Sequence, residues 1–182
     1  MNLGAIEDAV GRARLLDGMT NDSSIERGSS GTAYDVGAAG FLRLAAGTFG
    51  VVFLVVGILG FVPGITTHYS DLSFAGHMSE AKLIGIFQVS VLHNLIHVAY
   101  GVVGLIVASR PRPAALYLLV GGIVYGVVWL YGLLVEKNSN ANFVPLNTAD
   151  NWLHFVLFVA MVALGAVGLR RLQAGRRGPS LA

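Results

Sequence analysis

Ser90, His93, Asn94 and His97 fall at the i, i+3, i+4, i+7 spacing of a single helix face, in and just before the stretch VLHNLIHVAY. Tyr100 and Gly101 continue the stripe. Two neutral imidazoles one turn apart can chelate one metal ion, and a third from another helix would complete a three-nitrogen site. A second stripe, Asn147, Asp150, Asn151 and His154, repeats the spacing later in the chain. His154 is the candidate third donor. Asp150, one turn before it, could accept a hydrogen bond from its ring and orient it. Two histidines on different helices could instead hold a haem axially. A plainer role stands beside these: histidine and asparagine joining helices through hydrogen bonds worth about 1 kcal/mol each. Asp150, close behind Thr148, also suits the start of a helix through capping and dipole effects.

Both stripes lie in or beside segments of membrane grade. Of the 182 residues, 54% are hydrophobic and only 12% charged, and mean hydropathy is +0.68. A soluble domain carries roughly twice that charge. Four runs are predicted to span a bilayer: about 41–62, 83–108, 114–135 and 152–169, each close to the roughly twenty residues required. Pro63-Gly64, Pro111, Pro113 and Pro145 punctuate their ends. The expected fold is an all-α integral membrane protein, a four-transmembrane-helix bundle over residues 39–172. A flexible cytosolic tail over 1–38 precedes it and a basic tail over 173–182 follows. In the first tail, NDSSIERGSSGTAYD is polar and rich in Gly and Ser, and Ile6, Val10 and Ala13 could line a short amphipathic helix.

Ten of the twelve basic residues fall before or at the start of span one, between spans two and three, or after span four; only Lys82 and Lys137 lie in the other two loops. The positive-inside rule therefore predicts both termini to be cytoplasmic, with loops 63–82 and 136–151 facing outward. A sequence pI near 9.2 comes with a net charge of only +2 and no single basic patch, so nucleic acid is not an expected partner. There is no cysteine, hence no disulfide, thiolate ligand or thiol nucleophile.

Counting from the inner arginines places the polar residues in depth. His93 lies 17 residues before Arg110 and His154 lies 16 before Arg170, so both are about 25 Å from the inner end. His97 is one turn deeper. The three histidines are expected to converge in the outer half of the bundle. The same count on span three reaches Val128 and Trp129, with Tyr125 and Tyr131 nearby as an aromatic wall. Small-residue pairs such as Gly122 and Gly126, or Gly101 and Gly104, permit close helix contact. The first outward loop holds His68, Asp71, His77 and Glu80, but at no defined metal-site spacing, so a solvated loop or a cap over the bundle mouth is expected.

GFVPGITTHYSDLSFAGHMSEAKLIGIFQVSVLHNLIHVAYGVVGL, then VVWLYGLL, then NFVPLNTADNWLHF, in that order, resemble the bacterial membrane family called domain of unknown function 4383. The resemblance covers about residues 40–170. It implies a small four-span bacterial inner-membrane protein and assigns no catalytic or ligand residue.

Three kinds of function follow from the residues. One is a structural or accessory membrane component, with a His/Asn/Asp seam of Ser90, Asn94, Asp150 and Asn151 between spans two and four. Its partners would be the lipid bilayer and another membrane protein or a second copy. A second is metal or haem binding through His93, His97 and His154. A third is small-solute transport, or a pocket for a quinone or lipid. Transport is disfavoured because both stripes give way to apolar residues toward the inner face: GVVGLIVA after Tyr100 and FVLFVAMVALGAVGL after His154. No local catalytic signature such as HExxH is present and no substrate is identified, so the residues lean away from an enzyme but leave one open, since histidine is a suitable acid or base at neutral pH.

Overall fold

The computed structural model describes residues 36–176 together with Arg12 and Arg14. The expectations for the N-terminal tail and for residues 177–182 of the C-terminal tail lie outside the described residues, apart from those two helical arginines and the start of the first long helix. Four helices make up the bundle: α1 (Val36–Leu59), α2 (Val91–Val107), α3 (Pro111–Leu134) and α4 (Thr148–Arg176). α1, α3 and α4 are each long and apolar enough to cross a membrane, and α2 is a shorter apolar helix. Between α1 and α2 lies a small antiparallel sheet of β1 (Thr66–Thr67), β2 (Lys82–Leu83) and β3 (Phe87–Gln88), with a turn of 3-10 helix at Tyr69–Asp71.

Helix ends follow from local chemistry. Pro111 and Pro113 open α3 instead of merely preceding it: a proline in the first turn removes an N–H that has no helical partner anyway. α4 begins four residues before the expected span, because Asn147 and Asp150 form a reciprocal capping box. The Asn147 Oδ1 accepts from the Asp150 N–H at 3.0 Å, and the Asp150 Oδ2 accepts from the Asn147 N–H at 2.9 Å. Past residue 172, where a basic tail was expected to begin, α4 stays helical to Arg176.

The second helix corrects the sequence expectation. The apolar run from Leu83 is helical only from Val91. Ile84 and Gly85 both adopt positive φ, at 49° and 76°, and turn the chain so that Leu83 pairs with Phe87 and Lys82 with Gln88. The hydrophobicity that reads as membrane span is spent there on a hairpin. Ser90 then starts α2 in extended conformation, its hydroxyl accepting from the His93 N–H at 3.1 Å. The Ser73 and Phe74 carbonyls accept from the Val91 and Leu92 N–H groups, and the Ser90 carbonyl accepts from Asn94. The Val91, Leu92 and His93 N–H groups, which have no acceptor within the helix, are thus satisfied by protein, which lets the helix begin in a buried position.

α1 and α2 meet at backbone distance. A Cβ on Gly101 would lie 2.5 Å from the Leu54 nitrogen, and one on Gly50 would lie 2.8 Å from the Leu105 nitrogen. Leu42, Ala46, Phe53, Tyr117, Leu118, Tyr125 and Met161 are buried in the main core. The exposed side chains of the helices are largely apolar, among them Ile106, Leu116, Val120, Leu130 and Val156. Buried polar groups inside an apolar exterior are the pattern of a helical membrane protein.

Candidate metal centre

The stripe on α2 points inward as expected: Ser90, His93, Asn94 and His97 are all buried. His93 and His97 sit one turn apart with ring centroids separated by 4.6 Å. α4 brings His154 to the same level, its ring 6.1 Å from that of His93. One ring nitrogen from each of the three histidines lies within 4.8 Å of the others, and among the described residues this is the one such cluster of three or more His, Asp or Glu side chains. His68, Asp71, His77 and Glu80 do not gather into one.

Two aromatic rings close around the trio. Phe53 stacks on His97 at 5.8 Å and 27°, and Tyr125 packs on His154 at 5.3 Å. Phe53 and Tyr125 lie parallel to each other, 5.3 Å apart. Tyr125 was among the expected wall residues. Trp129 packs on Phe155, and Tyr131 bonds the Ala141 carbonyl and packs on Phe143, so neither faces the histidines. Phe53 was missed. Its signal was present in the stripe Leu42, Ala46, Gly50, Phe53, Gly57, all on the buried face of α1 at helical spacing. A large aromatic between glycines on such a face must fill the space they leave.

Hydrogen bonding divides the polar seam in two. The scaffold residues are satisfied. Asp150 does not orient His154; its Oδ2 accepts from the Gln88 N–H at 3.0 Å as well as from Asn147, tying β3 to the start of α4. Ser90 caps α2. The Asn151 amide, oriented to suit its neighbours, donates to the Trp129 carbonyl and accepts from the Leu133 N–H, each at 3.3 Å, and so locks α4 to α3. The histidines differ. The Nδ1 atoms of His93, His97 and His154, and both polar side-chain atoms of Asn94, are buried with no hydrogen-bond partner among the described residues.

Charge is nearly absent from this region. Apart from the three histidines, α2 carries no Asp, Glu, Lys or Arg, α3 none after Arg112, and α4 only Asp150 before Arg170. In the α3–α4 loop, Lys137 donates to the Gly132 carbonyl at the end of α3. Partial burial lowers its pKa from the ordinary lysine value, an effect that Asp150 and Glu136 oppose.

The sequence matches the model of the family described as domain of unknown function (DUF4383) over residues 43–167. The chain belongs to this family. The match takes in all the residues of the trio and its walls, from Phe53 on α1 to His154 on α4. No curated protein and no solved structure matches this family member.

Proposed function

We propose that this DUF4383 protein is a four-span bacterial inner-membrane protein that holds a metal ion between His93, His97 and His154. One observation carries the reading: three buried imidazoles present ring nitrogens within 4.8 Å of one another while their Nδ1 atoms go unpaired. Helix-joining histidines would be expected to spend those nitrogens on hydrogen bonds, because a buried unsatisfied polar atom costs about 1–3 kcal/mol. A metal ion removes that cost for each such nitrogen that it coordinates. The accessory, structural reading suits other members of the seam, namely Ser90, Asp150 and Asn151, whose bonds hold elements together.

An ion suits the site better than a haem. A porphyrin between His93 and His154 would need a flat slot, and His97, Phe53 and Tyr125 already pack directly on those rings or on one another. The positive-inside bias supports a topology with both termini in the cytoplasm, the small sheet and the α3–α4 loop outside, and the trio toward the outer face. A solute path would have to continue inward through the lower half of the bundle, which beyond Tyr100 and Tyr117 is largely apolar among the described residues.

Metal analysis by mass spectrometry on gently purified protein tests this directly. Near-stoichiometric metal is expected, and it should vanish in both His93→Ala and His154→Ala. Folded, membrane-derived protein that carries and takes up no metal would overturn the proposal.

A further inference from the structure

The donor set goes further than the presence of an ion. It rests on the metal reading above, and three features narrow the choice of ion. All three donors are neutral imidazoles. No carboxylate joins them: Asp150, the one acidic side chain on the membrane-spanning part of α4, lies outside the cluster with Oδ2 committed to two backbone N–H groups. The trio is also walled by Phe53 and Tyr125 rings, and among the described residues no fourth His, Asp or Glu completes a tetrahedron.

A divalent ion suits such a site poorly. Zinc sites are almost always four-coordinate, with a fourth protein ligand or a bound water. The cost of placing charge in a low-dielectric interior also rises steeply with its size, and here no anion offsets it. A cuprous ion carries a single charge, accepts three ligands in a plane and is content with imidazole nitrogen. We propose that the His93–His97–His154 centre selects a cuprous ion, three-coordinate and held by imidazole alone, over zinc and other divalent ions.

Anaerobic titration of the full chain in detergent tests this, with cuprous ion or zinc supplied from a chromogenic competing chelator, followed by X-ray absorption at the metal edge. The expected result is one cuprous ion per chain with three nitrogen neighbours, bound at least about a hundredfold more tightly than zinc, a difference near 2.7 kcal/mol. Stoichiometric zinc binding with equal or greater affinity, or a fourth light-atom neighbour around copper, would overturn the cuprous inference and leave the metal site standing. Failure to bind either ion would overturn both. His97→Gln should lower the copper coordination number or abolish binding; should that variant not fold, the absorption spectrum of the unaltered protein still decides.

Discussion

Asp150 and His154 stand one helical turn apart and do different work. The carboxylate accepts two backbone N–H bonds that join β3 to the head of α4, whereas the imidazole turns into the bundle toward His93. Asp150→Ala should therefore lower thermal stability by about 1–3 kcal/mol, since two N–H groups lose their acceptor. Metal occupancy should hardly change. An acceptor that oriented a ligating histidine would cost roughly 10–100-fold in metal affinity. Measuring melting temperature and metal content on the same preparation separates the two roles, and a large loss of metal would return Asp150 to the centre. Phe53 belongs to the same scale. Phe53→Ala removes the ring stacked on His97 and between the α2 and α3 aromatics, and about 3–5 kcal/mol of stability should go with it.

At the scale of elements, the start of α2 decides where the histidines sit. Had the helix begun at Leu83, the residues that now form the β2–β3 hairpin would have added about two turns to it. The hairpin turn instead takes Ile84 through a left-handed conformation that β-branched residues rarely adopt. Ile84→Gly is expected to relieve that strain and raise stability by about 1 kcal/mol, read from thermal unfolding in detergent. A clear loss would show that the exposed Ile84 side chain matters more than its backbone. The α1–α2 contact gives the opposite expectation. Gly101→Leu must push Leu54 and its backbone away, and destabilisation of about 1–3 kcal/mol or more should follow.

The whole molecule is apolar outside and polar at one level within. Its proposed topology can be checked without removing any native thiol, because the chain has no cysteine. Ser70 and Asn140 lie exposed in the two loops at the sheet end, and Ser109 lies exposed between α2 and α3. In intact cells, an impermeant maleimide should label Ser70→Cys and Asn140→Cys but not Ser109→Cys. The reverse pattern would invert the protein in the membrane and place the trio toward the cytoplasm.

Much of this was readable from sequence alone, for a definite reason. The inward face of α2, the level of His154 and the apolar character of the helices follow from helical periodicity, rise per residue and composition, which are properties of a chain segment by itself. Residues 83–90 could not be read that way. Their apolar content fits a span and a buried hairpin equally well, and the choice came from pairing with Thr66–Thr67 and from loop carbonyls that satisfy the first N–H groups of α2. Partners within the seam were likewise settled only in three dimensions. Nothing in the spacing of Asp150 distinguishes a bond to His154 from one to the Gln88 N–H, 62 residues away. Phe53 joined the centre because glycines brought α1 and α2 to backbone contact. Sequence determined which residues face inward and at what depth; tertiary packing decided which inward atoms meet, because hydrogen bonds and close contacts depend on chain segments far apart in the sequence.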